Sequence, residues 1–403
     1  MRRTMSRKKH KSDLRTFIHF LFECIKHEIR TIMKDGGVVM FFIIVPIAYP
    51  ILYSWMYNNE GVKEVPTVFV DQSHSFLSRT FIRNCDATDG IKVVKVVSSL
   101  NDAQELQRQQ ECHAIVLLPE NFAQQINRGE QGTVLFYADL SGMFYYKGVY
   151  SALTDVSLEI GKDIKISRMK TYTDKDESIA SSPLEYESVS LFNPQNGYGT
   201  FILPAVLILI IQQTMILGVG MLSGTRHERR VYTGRIITKR TVIGGFANTL
   251  GRSFSYFFIY IATTAYTLLL IPHIFKLVQL ADSSTLIPFL LPYLLSVTFF
   301  SMLISRFVKE RESIILLMVF TSMPFLLLSG ISWPTNALPG FWKVISWCIP
   351  STSGINGFVK INSLGANLND IRPELIALWS QVVVYFIINI AIQLFMPRKT
   401  TKK

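Results

Sequence analysis

The chain has 403 residues, of which 49% are hydrophobic, and it carries a formal net charge of +12 and four cysteines. So few cysteines do not form the framework of a small disulfide-rich protein. The basic residues flank apolar runs instead of forming one aromatic-studded face, so nucleic-acid binding is the weaker interpretation of the charge.

Residues 13–34 have the pattern of an amphipathic helix, with Arg15, Lys26 and Arg30 on the polar faces. The apolar positions that recur at helical spacing are Leu14, Phe17, Ile18, Leu21, Ile25, Ile29 and Ile32. Such a helix lies in the plane of a membrane surface or packs on its own domain. Because an apolar run follows directly, we favour the membrane plane.

Six apolar runs are each long enough to cross a bilayer, which takes about 20 residues. They occupy residues 38–57, 199–222, 252–271, 286–305, 314–332 and 375–396. Apart from Arg252 and Glu374 at the edges, they carry no charge. A long basic stretch precedes the first run and no small-x-small cleavage site follows it, so this run is predicted to be an uncleaved anchor.

The distribution of Lys and Arg predicts the orientation of these runs. Residues 58–198 hold 13 basic and 19 acidic residues. Four other segments together hold 23 basic and seven acidic residues: 1–37, 223–242, 306–313 and 397–403. Because basic residues near span ends mark the cytoplasmic side, we expect a multi-pass protein of the cell (inner) membrane with both termini cytoplasmic and residues 58–198 outside.

This large insert alternates between strand-like and helical segments. Ser99 is typical of a helix N-cap, residues 120–127 form a short helix closed by Gly129, and residues 141–170 are helical again. The strand-like runs are 65–70, 91–97, 113–118 and 133–138. Strands separated by helices of this length indicate βαβ units.

The predicted fold class is therefore an α-helical polytopic membrane protein with six transmembrane helices and an inserted external α/β domain. The insert also holds Cys85 and Cys112. They form a bridge if the compartment is oxidising, or they are two buried free thiols.

The segment 329–363 is apolar but too broken by proline to form a span. Tryptophan is favoured at the membrane–water boundary, and irregular backbone at membrane depth must be buried in protein or line a cavity. We therefore predict a re-entrant or interfacial hairpin near the outer surface, with Trp347 also at the boundary. Its marker residues are Gly330, Trp333, Pro334, Pro339, Trp342 and Pro350.

The chain lacks the motifs of common catalytic sites. It has no GxxxxGK[ST] phosphate loop and no G-x-S-x-G sequence, and His227-Glu228 lacks the second histidine of a zinc protease. The histidines are scattered, so no metal site is predicted. We expect no enzyme activity and no cofactor in this chain. Gly218 and Gly220 fall inside a span and indicate helix packing.

Two adjacent amides, Gln212 and Gln213, fall near the middle of the second run. An unpaired amide is costly in a bilayer, so both side chains should face protein or a translocation pathway. Interhelical hydrogen bonding and pathway lining both explain them.

Four stretches of the sequence resemble the permeases of the type-2 ABC exporter family. They are "VFVDQSHSFLSRTF" (68–81), "AIVLLPENF" with "GEQGTVLFYADLSG" (114–142), "LFNPQNGYGTFILP" (191–204) and "LSGISWPTNALPGFWKVISWCIPSTSGINGF" (328–358). The last is the strongest signal, because it resembles the loop pattern "SGxxxPxxxMPxxxxxxsxxxPxtxxixgx". One stretch departs: "GTRHERRVYTGRIITKRT" (224–241) stands where the family reads like "ERExGTxExLxxTP".

The resemblance implies the partners of this chain. A second permease chain, identical or a sister, would join two cytoplasmic P-loop ATPase subunits that bind ATP and Mg, and a periplasmic adaptor is an optional further partner. The loop 223–242 and the helix at 13–34 would transmit ATPase closure. The loop residues implied are Arg226, Glu228, Arg229, Arg230, Tyr232, Thr233 and Arg235.

The resemblance also places the pathway between the two permeases, along the second and fifth spans. The candidate pathway residues are Gln212, Gln213, Thr214, Ser322 and Met323. A pathway with few charges suits export of an amphiphilic or hydrophobic compound from the cytoplasm or the inner leaflet. The alternative is a membrane-anchored sensory or scaffold protein with an external binding domain and no transport, but the short cytoplasmic segments leave little room for its output domain.

Overall fold

A computed structural model describes residues 2–58, 61–139, 142–168, 193, 197–228 and 242–395 of the chain, and side chains are described from Phe17 onwards. The chain divides into two compact units. One comprises residues up to Asn58 together with those from Leu191 onwards, and the other spans Asn59–Ser190.

The chain begins with a long helix, α1 (Arg2–Lys34), which starts well before the predicted residue 13. Asp35 ends it and caps the next helix, because its carboxylate accepts a hydrogen bond from the Val38 amide at 3.3 Å. Helix α2 (Gly36–Val39) continues through a π-helical turn (Met40–Ile44) into α3 (Val45–Met56). Pro46 lacks the amide hydrogen that would bond the Phe42 carbonyl within this turn, which accounts for the irregular turn.

The smaller unit is an α/β sandwich whose strands begin and end within two residues of the predicted runs. Its sheet has the order β2-β1-β3-β4, with β1 parallel to β2 and β3, and β4 antiparallel to β3. The elements are β1 (Val65–Asp71), α4 (Phe76–Asp86), β2 (Ile91–Val97), α5 (Leu100–Arg108), β3 (Ala114–Leu118), α6 (Phe122–Arg128), β4 (Leu135–Ala138) and α7 (Met143–Arg168). Parallel strands joined by helices are the predicted βαβ arrangement.

Helices cover both faces of this sheet, and each face has its own apolar core. Phe69 and Phe81 pack on the face covered by α4, α6 and α7, whereas Val70 and Ile115 pack on the face covered by α5. Ser99 caps α5, and Gly129 closes α6 in a left-handed conformation at φ +86°. Both caps agree with the sequence prediction.

The thiols of Cys85 and Cys112 are free and buried. Cys85 belongs to the core on one face of the sheet and Cys112 to the core on the other face. A disulfide would need one of them to cross the sheet. Of the two interpretations drawn from the sequence, the structure supports the two buried free thiols.

The larger unit continues with a set of helices. These are α8 (Tyr198–Glu228), α9 (Val242–Ala265) with a π-helical turn (Tyr266–Leu270), α10 (Ile271–Ile274), α11 (Ser283–Ile304), α12 (Ser313–Leu328), α13 (Gly340–Trp347), α14 (Pro350–Leu364) and α15 (Arg372–Phe395). Within the described residues, five helical stretches are long and apolar enough to cross a membrane: Gly36–Met56, Tyr198–Glu228, Phe246–Ile274, Ser283–Ile304 and Arg372–Gln393.

Helix α12 corresponds to the predicted fifth run but is shorter. It has 16 residues, or about 24 Å against the roughly 30 Å of a bilayer core. The run was predicted to continue to residue 332, but the helix ends at Leu328. Gly330 then adopts φ +91°, a left-handed conformation that stops a helix.

Helix α8 is the centre of this unit. Every residue from Leu207 to Leu222 is buried within the single chain. The two glycines predicted to serve helix packing do so: Gly218 lies against the ring of Phe42, and Gly220 lies against Ile314 of α12. Neither position has room for a Cβ atom, so the neighbouring helices approach the α8 backbone closely.

Candidate functional site

The predicted pathway residues on α8 point in different directions. The Gln212 amide binds α14: its Oε1 accepts from the Ser351 amide at 2.7 Å, and its Nε2 donates to Ser351 Oγ at 3.0 Å. The Thr214 hydroxyl instead accepts from Tyr260 of α9 at 3.0 Å and donates to the Ile210 carbonyl at 2.7 Å. Gln212 and Thr214 therefore hold helices together within one chain.

Gln213 differs from its neighbours. Its side chain is 3% exposed, and neither its oxygen nor its nitrogen has a hydrogen-bond partner among the described residues. Buried polar groups are almost always paired, so an unpaired amide at this depth indicates a missing partner.

The packing of α8 on α12 shows which way Gln213 faces. Gly224 lies beside Arg311 and Gly220 beside Ile314, so the two helices run antiparallel. Gln213 is about two turns from Gly220 on the same side of α8. On α12, Thr321 and Ser322 are two turns beyond Ile314, so they lie at the same level as Gln213. The amide thus lies at the seam between α8 and α12.

The remaining pathway candidates lie on α12 near that level. Ser322 is half-buried, and Met323 is 64% exposed within the single chain. Other large apolar side chains on the same helix are exposed with it: Ile315, Leu316, Val319, Phe320 and Leu327. By helical spacing, Gln213 is at the level of Ser322 and Met323, but Met323 lies on the side of α12 that faces away from α8. Gln212 and Thr214 bind α14 and α9 instead.

The Trp/Pro segment contains short helices. Gly330 follows α12, Pro334 precedes a 3₁₀ turn (Thr335–Ala337), and Pro339 precedes α13. Pro350 is the first residue of α14 and is buried. A proline suits that position, since its missing amide hydrogen has no partner in the first turn. Trp333, Trp342 and Trp347 are all exposed within the chain.

Polar side chains of two long helices, α15 and α8, bind the junction between α13 and α14. Gln381 of α15 donates to the Trp347 carbonyl at 2.7 Å and accepts from Ser296 of α11 at 2.9 Å. Tyr385 donates to the Cys348 carbonyl. With Gln212 of α8 on Ser351, these contacts fix the segment 347–351, which we call the hairpin tip.

The predicted coupling loop was expected to begin at residue 223, but α8 continues to Glu228. The Arg226 guanidinium donates to Glu28 of α1 at 2.6 Å, and the Glu228 carboxylate accepts from the Arg311 amide at 2.6 Å. These contacts hold the last turn helical. The other loop candidates, Arg229, Arg230, Tyr232, Thr233 and Arg235, lie outside the described residues.

Sequence reasoning missed Glu28, although a signal for it exists. Glu28 is seven residues from Leu21 and four from Ile32, so it falls on the apolar stripe of α1. A carboxylate in such a stripe needs a buried partner. The sequence could not show that the partner is Arg226, which is 198 residues away.

Comparison with known proteins identifies the family. No curated protein matches the chain. A family model described as ABC-2 family transporter protein matches residues 37–391. That range takes in all of the long apolar helices after α1 and the α/β unit between the first two. The chain is therefore a membrane-integral transport subunit, not itself catalytic, and belongs to the ABC-2 transporter family.

Proposed function

We propose that this chain is the permease of an ATP-driven exporter that moves an amphiphilic or hydrophobic compound out of the cytoplasm or the inner leaflet. The observation that carries the proposal is the unpaired amide of Gln213 at the α8–α12 seam. One polar group beside an apolar helix would suit an amphiphile, whose head could bond the amide once α12 moves away from α8.

We further propose that α12 crosses the membrane as a sixth span, with both termini cytoplasmic. Its two ends differ in charge: Arg306, Lys309 and Arg311, with Glu310 and Glu312, precede it, whereas residues 329–342 that follow it carry no charge. A short helix is accommodated by local thinning of the bilayer. The exposed apolar face of α12 would meet lipid or a second permease chain.

The Trp/Pro segment would be a re-entrant hairpin. The amide of Leu280 bonds the Asn362 carbonyl near the end of α14, so that end lies beside the short connection between α10 and α11. Its beginning, Ser351, lies beside the middle of α8. Helix α14 would thus run from mid-membrane to the outer surface. The hairpin tip would be its deepest part, so Trp347 would lie deeper than the boundary position predicted for it from the sequence.

Helix α1 would lie on the inner membrane surface. Four apolar residues at helical spacing, Ile18, Phe22, Ile29 and Met33, are exposed along one side of it. Basic residues Lys26, Arg30 and Lys34 lie near them. Apolar side chains that enter the acyl region and basic side chains that meet lipid phosphates are the features of an in-plane helix.

The test is transport by the chain reconstituted into vesicles with its co-purified ATPase. The probe is rhodamine 6G, an amphiphilic dye. We expect ATP-dependent dye movement that Gln213→Leu abolishes and Gln213→Asn partly retains. The matched control is Thr321→Val, which removes a hydroxyl already bonded to its own helix. Dye movement unaffected by Gln213→Leu would contradict the assignment.

A further inference from the structure

Glu28 of α1 is the centre of a buried ion cluster. Its side chain is 1% exposed. One carboxylate oxygen accepts from Arg226 Nη2 of α8 at 2.6 Å and lies 3.5 Å from Arg252 Nε of α9. The other accepts from the Tyr256 hydroxyl of α9. A carboxylate taken out of water needs such partners, so its position is determined by α8 and α9 together.

The position of these partners along the chain is informative. Arg226 lies two residues before the end of α8, Arg252 lies in the first half of α9, and Tyr256 lies one turn after Arg252. Residues 229–241, the part of the predicted coupling loop that lies between these two helices, connect them. Glu28 therefore holds the two helices that lead into and out of the loop. Helix α1 is also close-packed here, because a Cβ atom on Gly251 would lie 2.6 Å from Cys24 Cβ.

A second ion cluster surrounds Asp35, at the junction between α1 and the first long apolar helix. Both of its oxygens accept from the Arg311 guanidinium, at 2.6 and 3.0 Å. Arg311 also donates to Thr225 Oγ1 at 3.2 Å and, through its backbone amide, to Glu228 at 2.6 Å. One arginine thus connects three segments: the end of α1, the end of α8 and the connection before α12.

The contacts around Asp35 favour the ionised form of its carboxylate. Burial alone would raise its pKa, but the hydrogen bond from Arg311 and the amides of Val38 and Gly37 more than offset that, and the pKa lies below its usual value. The carboxylate is therefore ionised throughout the neutral range. An ionised, two-point bond to a guanidinium fixes direction as well as distance, which apolar packing in the same place would not do.

We propose that Glu28 and Asp35 are positioning residues that transmit movement of the coupling loop to the rest of the permease. Glu28 passes a displacement of α8 and α9 to α1, and Asp35 with Arg311 passes it to α3 and α12. This inference rests on the proposed function, because it requires a partner ATPase to move the loop. The sequence predicted Arg226 and Glu228 as coupling residues of the loop. Because both side chains bind residues of this same chain, their coupling role would lie within the permease.

The test uses the full-length chain with the ATPase that co-purifies with it. The variants are Glu28→Gln, which preserves shape, and Asp35→Asn, which removes the charge that Arg311 binds but retains an N-cap as good as aspartate. The control is Glu23→Gln, an exposed carboxylate on the same helix. The reporter is the thiol of Cys348 in the hairpin tip, which is exposed within the single chain. It is labelled with a membrane-permeant maleimide in the presence and absence of ATP and vanadate.

In the unchanged chain and in Glu23→Gln, ATP with vanadate should change the labelling rate of Cys348. In Glu28→Gln and Asp35→Asn, that change should be lost while ATP hydrolysis and ATPase co-purification persist. If the charge-assisted hydrogen bond is made in only one of the two states, its loss shifts the equilibrium between them by about tenfold. Arg311→Lys, which keeps the charge but not the two-point bond, should give an intermediate response.

Three results would overturn the inference: an unaltered response in both variants, an equal loss in Glu23→Gln, or variants that lose abundance or the ATPase, which would show that the clusters only hold the fold. A different result, no P-loop ATPase with the unchanged chain, would contradict the proposed function itself.

Discussion

Gln212 and Ser351 are 139 residues apart in sequence, yet the amide of the first satisfies both the backbone amide and the hydroxyl of the second. This places the middle of α8 at the first turn of α14, where helix amides have no partner within their own helix. Gln212 therefore acts as a side-chain cap supplied by another helix.

Replacing Gln212 by Leu should destabilise the chain and release the hairpin tip. Two buried hydrogen bonds are lost and the Ser351 amide is left without a partner, so we expect a cost of about 1–2 kcal/mol in unfolding free energy. Cys348 should become more reactive to maleimide. Thermal melting in detergent and labelling rates measure the two effects, and an unchanged Cys348 rate would show that Gln212 does not hold the tip.

The neighbouring change, Gln213→Leu, should reduce transport without lowering the stability of the chain. The Gln213 amide has no bond to lose within the described residues, so an apolar side chain of similar size should leave the melting temperature unchanged or raise it. Transport of the amphiphilic dye should nevertheless fall. A melting temperature lowered as much as in Gln212→Leu would mean that Gln213 is paired in the native protein, and the cargo assignment would fail.

The parts of the fold set by local sequence were predictable, and those set by distant contacts were not. The cap at Ser99, the left-handed Gly129 and the four strands follow from residues close in the chain. The division of Gln212, Gln213 and Thr214 among three neighbours does not, because it depends on which helices surround α8. The early end of α12 at Leu328 lies between these cases: the apolar run was predicted to continue through Gly330 to residue 332, but Gly330 adopts a left-handed conformation just after the helix ends.

The α/β unit should fold when expressed alone as residues 60–190. It has two apolar cores of its own, one on each face of its sheet, so circular dichroism should show mixed α/β structure and a cooperative melt. Phe81→Ala should lower its stability by about 3–5 kcal/mol, because the ring is buried. Phe76→Ala on the same helix, whose ring is 76% exposed, should have little effect. A gradual, featureless melt would contradict an independent domain.

Thiol chemistry should separate the cysteines by their surroundings. Burial raises the pKa of Cys85 to about 12 and also raises that of Cys112. Since the thiolate is the reactive form, both cysteines should resist alkylation at pH 8 in the folded chain. Raising the pH to 9 should not make either of them reactive. Cys348, which is exposed, should react first. Mass spectrometry after labelling measures this, and rapid modification of Cys85 before unfolding would show that its core is open.

The final prediction concerns where the ATPase binds. Since Arg226 and Glu228 are engaged with Glu28 and Arg311, the docking surface should be formed by the following residues of the loop. Residues 229–241 contain five basic residues and no acidic one, with Tyr232 among them. The positive-inside rule alone accounts for the basic charge, but not for an aromatic residue at that place. A short segment of this kind suits an acidic groove with an apolar pocket on a partner.

A paired substitution distinguishes the two explanations of the loop's composition, which are docking of the ATPase and the positive-inside rule alone. Tyr232→Ala with Arg230→Glu should reduce the amount of ATPase that co-purifies with the chain, while membrane insertion and abundance stay constant, because the basic residues left in the loop still satisfy the positive-inside rule. Lys402→Glu, which removes a basic charge from the C-terminal tail, is the control and should leave the ATPase bound. The measurement is the ratio of ATPase to permease after affinity purification from membranes. If the paired variant retains the full ratio, the ATPase is held elsewhere on the cytoplasmic side, and the loop's charge reflects topology alone.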